Sequence, residues 1–111
     1  MPMKMSFMPM SITDWESVTP TQHPGETGFA LWRTRTFGDI RVRMVEYSPG
    51  YLADHWCSKG HVILCLEGFL DIELADGTRF ELRTGNSYHV GDGDPPHRSR
   101  APQGARLFIV D

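Results

Sequence analysis

The 111-residue sequence predicts an all-β barrel or sandwich. Three observations lead there. Helical periodicity is nearly absent. From Phe29 onward, short alternating or apolar runs follow one another. Turn signals rich in Gly, Asp and Pro separate them about every eight to twelve residues. The runs fall at 29–36, 39–47, 52–57, 61–67, 69–74, 79–83, 87–90 and 105–110, with FGD, SPG, SKG, EG, ADG, TGN and GDGDPP between them.

Each element has a local reason. TDWE, Thr13 to Glu16, reads as a capping box and predicts one short helix near the start, with Thr13 as N-cap. TPTQHPGETG has the Pro and Gly content of a loop. Residues 1–28 are therefore expected to form an N-terminal segment, and residues 29–111 the barrel. Within FLDIELADGTRFEL, Leu70, Ile72 and Leu74 share one face while Asp71 and Glu73 take the other. ADGT makes a tight hairpin turn, after which Phe80 and Leu82 resume the inner face. HVILCLE is apolar on both faces, so Val62, Leu64 and Leu66 call for a second cover, either an opposing sheet or a dimer partner.

Composition narrows the function classes. The length fits one domain, and 40% hydrophobic residues is an ordinary globular content. A net charge of −3 argues against nucleic acid as a partner. No apolar run approaches the ~20 residues that a membrane helix needs, and MPMKMSFMPM lacks the pattern of a secretory signal. Five of the six methionines lie in that stretch, which is expected to be a frayed start or a short edge strand. Cys57 and Cys65 are the only cysteines; without a signal they are expected to stay reduced, in the cytoplasm, with a Cys57–Cys65 bridge as the alternative.

The stretch YLADHWCSKGH holds His55, Cys57 and His61 within seven residues. Strand alternation places His55 and Cys57 on one side, about 7 Å apart, with Trp56 on the other. SKG then turns the chain, and His61 opens the next strand. Two readings stand side by side. Three donors from adjacent strands form part of a coordination shell for Zn²⁺ or a related ion. Alternatively, they are a half-exposed histidine, a buried apolar cysteine and a turn histidine. A second segment, GNSYHVGDGDPPHR, is a strand-to-turn stretch ending in His97.

Together the two stretches resemble the two motifs of the cupin superfamily. Gly50, His55, Cys57, His61 and Gly68 fall in the order of the first motif, with three residues before His61 and six before Gly68. Cys57 stands where that motif has its second His, and His61 where it has Glu. Gly85, Gly91, Gly93 and His97 follow the second motif, with Gly91 in place of Pro, one extra residue before His97, and Ala101 at the Asn position. The sixteen residues between Gly68 and Gly85 are a hairpin's worth, as in compact cupins. The chain looks most like small single-domain cupins with an Asp-His-Trp-Cys run.

The resemblance implies a single cupin barrel (a double-stranded β-helix or jelly roll) with a short N-terminal helix, pairing as a homodimer. It also implies a divalent transition metal held by His55, Cys57, His61 and His97. Three imidazoles and a thiolate favour Zn²⁺, with Ni²⁺, Fe²⁺ and Cu as rivals. The expected partner is a small-molecule substrate or ligand. Isomerase or dioxygenase chemistry stands beside two non-catalytic readings, a binding module and a structural metal site.

Other side chains carry weaker expectations. Tyr88 or His89 faces the barrel, according to register. Glu46 shares the Ile40, Val42 and Met44 face. Arg98 and Arg100 flank His97, either receiving an anionic substrate or lying solvated at the rim. Arg33, Arg35, Arg41 and Arg43 read as a polar outer face paired with acids, and His23 as a loop histidine. Cys65 shares the parity of His61 and lines the interior as a small hydrophobe.

Overall fold

The computed structural model describes residue 5 and residues 8–111. Among them run nine strands, β1 (Thr21–Pro24), β2 (Phe29–Phe37), β3 (Ile40–Tyr47), β4 (Tyr51–Leu52), β5 (His61–Leu74), β6 (Arg79–Arg83), β7 (Ser87–Val90), β8 (His97–Ala101) and β9 (Ala105–Val110). Every pairing is antiparallel. The order β1-β2-β3-β9-β5-β8-β4, with β6 and β7 also paired to β5, makes one sheet curled on itself.

β5 is the spine. Its first half pairs with β7 and β9, and its second half with β6 and β8. The sequence read Glu67-Gly68 as a turn between two strands, but both residues continue one strand, just past a bulge between Cys65 and Glu67 in which Leu66 is the extra residue. The extra residue changes which parity faces inward, from Ile63 and Cys65 to Leu70 and Ile72. Gly68 has φ +76°, and a Cβ there would collide with the Gly104 carbonyl, so only glycine suits the bend. The inward set packs with Ala30, Val45, Leu82, Leu107 and Ile109 into one core. Each large member contributes roughly 1.5–3 kcal/mol through burial. Cys65 is 1% exposed and lies in this core, as its parity predicts. The ADGT hairpin forms as expected, closed by Gly77 N–H to the Leu74 carbonyl at 3.0 Å.

Four local expectations give way. The N-terminal helix is a single 3₁₀ turn, Trp15–Ser17. Its cap is Asp14, whose carboxylate accepts from Glu16 N–H and Ser17 Oγ–H, and Val18 is already extended. β1 occupies part of the predicted loop as an edge strand, where Pro24 is tolerated. β8 was hidden because HRSRA alternates polar with polar: His97, Ser99 and Ala101 are buried, while Arg98 and Arg100 alternate with them. The strand predicted at 52–57 stops at Leu52. The methionine-rich start lies mostly outside the described residues.

Candidate metal centre

The break after Leu52 shapes the site. Residues 54–56 leave the sheet, and the chain rejoins β8 at Cys57 as an isolated bridge to His97. Two main-chain hydrogen bonds make that bridge, Cys57 N–H to the His97 carbonyl at 2.7 Å and His97 N–H to the Cys57 carbonyl at 2.9 Å. Residues paired this way project their side chains to the same face. His61 opens β5 on the parity of Ile63 and Cys65, and so faces the same interior. Gly60 lets the intervening turn approach the Asp92 loop, since a Cβ there would lie 2.7 Å from the Asp92 nitrogen.

As a result, donor atoms of Cys57, His61 and His97 lie within 4.8 Å of one another. His97 is 2% exposed. The Nε2 atoms of His61 and His97 face each other at 2.8 Å. The fourth predicted ligand, His55, is not in the group. It lines the same hollow, but it lies on the excursion from the sheet with its Nδ1 2.7 Å from Asp54 Oδ1. The same-side alternation of His55 and Cys57 requires a strand that the chain does not form there.

A feature absent from the sequence reading lies behind His61. Asp111 is 1% exposed at its side chain and receives Arg41 through both oxygens (2.9 and 3.0 Å) and Arg43 at 3.0 Å. Lys59 Nζ is 4.0 Å away and His61 Nδ1 3.6 Å away. Burial alone would raise the Asp111 carboxyl; the Arg41 hydrogen bond and the charges of Arg43 and Arg41 outweigh it and hold the group below its ordinary value. Burial, reinforced by the neighbouring His97, pushes His61 down to about 4, and burial lowers His97 as well. Both imidazoles are therefore neutral near pH 7, the state in which they offer lone pairs.

The donor set fits a transition metal. Two neutral imidazoles and a thiol are borderline-to-soft ligands. Bond lengths of about 2.0–2.3 Å separate tetrahedral donors by roughly 3.3–3.8 Å, which the group meets with small adjustments. His61 Nδ1 lies 3.6 Å from Asp111 Oδ2, just outside hydrogen-bond reach, and the buried Nδ1 atoms of His61 and His97 have no hydrogen-bond partner. The 2.8 Å Nε2–Nε2 approach places one proton between the two rings. A small shift of His61 toward Asp111 would give the arrangement by which a carboxylate orients a metal-binding histidine.

The remaining candidates divide by register. Tyr88 borders the site, its ring 5.8 Å from that of His97, while His89 is exposed and bonds Ser87 Oγ. Glu46 lies with Ile40, Val42 and Met44 on the outer face and pairs with Arg106. Arg33 and Arg35 are on that outer face too, bonded to the Val18 carbonyl and Thr13 Oγ1 rather than to acids. Arg41 and Arg43 are on the inner face, contrary to expectation, because an apolar outer face made the parity of β3 ambiguous. Asp111 was legible in principle, two positions beyond Ile109 and four beyond Leu107, continuing the inward parity of β9 past its end. Arg98 is bonded to Glu73 at 2.9 Å and lies over Trp56. His23 stacks on Trp32 at 3.7 Å. Both cysteines are free thiols.

This curled antiparallel barrel, with a His/His/Cys group at its mouth, is a small cupin fold. Solved structures agree. An RmlC-like cupin from Shewanella frigidimarina NCIMB 400 is 15% identical, with a TM-score of 0.75 over 92% of this chain and 89% of its own. A predicted oxalate decarboxylase from Thermotoga maritima gives 11% identity and a TM-score of 0.77 over 90% and 96%. The ectoine synthase of P. lautus gives 19% and 0.72 over 91% and 76%. At these identities the likeness concerns the fold. No protein-family model matches the sequence, and no curated protein matches it. Among the described residues no helix is long and apolar enough to cross a membrane.

Proposed function

We propose that this protein is a metal-binding cupin that holds a divalent transition metal, Zn²⁺ by preference, through Cys57, His61 and His97. The observation that carries the reading is the convergence of those three donors within 4.8 Å at one buried-to-half-buried spot. Asp111 would orient His61, and the main-chain bridge would fix Cys57 against His97. His55, turned to Asp54, is left out of the shell. Three protein ligands with one vacant position is the pattern of reactive rather than structural zinc sites. The proposal is therefore a small-molecule enzyme, of the isomerase type that the cupin resemblance implies where the metal is Zn²⁺, which has no redox chemistry. The dioxygenase type that the resemblance also implies would require the Fe²⁺ or Cu rival in the same site. A bound metal would polarise a substrate oxygen or activate water at the vacant position. The protein's own residues would neutralise, orient and enclose the ligand. A non-catalytic binding module or a structural metal site is the alternative.

Elemental analysis of untagged protein tests the reading. About one equivalent of metal is expected in the native protein, lost in Cys57→Ala and His97→Ala and retained in His55→Ala. Unchanged metal in Cys57→Ala removes the thiolate. Loss in His55→Ala restores the four-ligand shell and shifts the assignment toward a structural metal. We further propose a cytoplasmic homodimer paired through the outer face around Val62, which is 47% exposed; light scattering that returns a monomer mass would exclude the pairing.

A further inference from the structure

The hollow beside the Cys57–His61–His97 group is lined by more cations than anions. Arg41, Arg43, Lys59 and Arg98 line it. Glu73 and Glu26 engage Arg98, which leaves Arg41, Arg43 and Lys59 facing the single carboxylate of Asp111. Arg43, with a side chain only 7% exposed, gives one nitrogen to Asp111 and keeps its Nε–H buried without a partner; Arg98 Nε is likewise unpartnered. An orphaned donor of this kind costs about 1–3 kcal/mol, and more where it is charged. An excess of positive charge in a recess is sustained most readily by an anion that enters it.

Size and walls narrow the anion further. The hollow measures about 110 Å³, roughly the volume of four waters, so only a molecule of a few carbons fits wholly within it. The Arg43 guanidinium lies 4.4 Å over the Trp32 ring, and Tyr51 stacks on Tyr47 at 4.1 Å. The Trp32, Tyr47 and Tyr51 rings give the recess apolar walls beside its cations. Planar guanidinium groups match planar carboxylates in two-point contact better than they match a point anion.

We propose that the hollow binds the anion of a short carboxylic acid of two to four carbons, with its carboxylate toward Arg43 and Arg41 and its carbon end toward the aromatic wall. The inference rests on the metal-site reading only for what happens after binding. The cationic recess is a property of the chain itself.

The test is calorimetric titration of metal-stripped and zinc-loaded protein with propionate, its neutral isostere propionamide, and inorganic phosphate, at low fixed ionic strength. Propionate is expected to bind both forms at least ten-fold more tightly than propionamide. Arg43→Met is expected to lose ten-fold or more. Lys59→Gln keeps the proposal testable if the Arg43 variant fails to fold, and is expected to lose about three-fold, since its side chain is 52% exposed. Equal affinity for propionate and propionamide, or no binding of either, overturns the proposal. Phosphate binding more tightly than propionate overturns the carboxylate assignment. Zinc bound without propionate sinks the anion site and leaves the metal reading standing; propionate bound by protein that takes up no zinc does the reverse.

Discussion

Replacing Asp111 with alanine removes one carboxylate and leaves two arginines facing each other. Arg41 keeps 30% of its side chain in water and can rehydrate, but Arg43 at 7% cannot. Breaking a buried ion pair by deleting one partner typically costs about 3–5 kcal/mol, because the surviving charge stays desolvated. The three hydrogen bonds lost here fall within that figure rather than adding to it. For a domain with about 5–15 kcal/mol in total, a loss of ~3–4 kcal/mol removes a large fraction of the stability. At about 4–8 °C per kcal/mol, it lowers Tm by at least ~12 °C. Urea and thermal unfolding of the metal-free protein measure it. Asp111→Leu combined with Arg43→Met removes both charges and is expected to recover at least half of the loss. A single-variant loss below about 1 kcal/mol, or a double variant no better than the single, would show that this pair is not the counter-charge that holds Arg43 inside.

Stability of the metal-free protein should fall on acidification from about pH 6.5 to pH 4. His61 titrates near 4 in the folded chain against an ordinary 6.5, so in that window the unfolded chain binds more protons and the folded state is disfavoured. At ~1.4 kcal/mol per pH unit this amounts to about 3 kcal/mol at most; a flat profile between pH 7 and 4.5, or an unchanged slope in His61→Gln, would refute it. Gly68→Ala should destabilise by about 2 kcal/mol or more by urea titration, because it combines a positive φ with a collision against the Gly104 carbonyl; a neutral result would show that the bulge relaxes. Ile72→Ala, at a fully buried position, should lose about 2–5 kcal/mol, whereas Phe80→Ala at a 46% exposed rim position should lose clearly less; equal losses would contradict the packing described.

The barrel was readable in the sequence because its signals are local: alternation in FLDIEL, the ADGT turn, and glycines that punctuate each strand. What failed depended on distant partners. HRSRA carries no apolar alternation, and it is a strand only because β4 and β5 pair with it. Glu67-Gly68 has the chemistry of a turn, yet β9 on one flank and β6 on the other hold the chain as one continuous strand. Cys57, His61 and His97 stood out by residue type and spacing. The placement of His55 depended on whether residues 54–56 continue a strand, which no local preference decides. Arg43 was expected to pair with an acid but on the outer face, and its partner Asp111 lies one residue past the end of β9, so no local pattern joined the two. Their mutual recognition spans sixty-eight positions.

The bridge between positions 57 and 97 is made entirely of peptide groups, so the side chain at 57 is free to vary without disturbing its own mooring. Exchange of sulfur for imidazole or carboxylate at that one position should retune the hardness of the socket while leaving the scaffold intact. Selectivity among cations would then be a trait that a lineage could revise by a single codon, independently of the barrel that presents it.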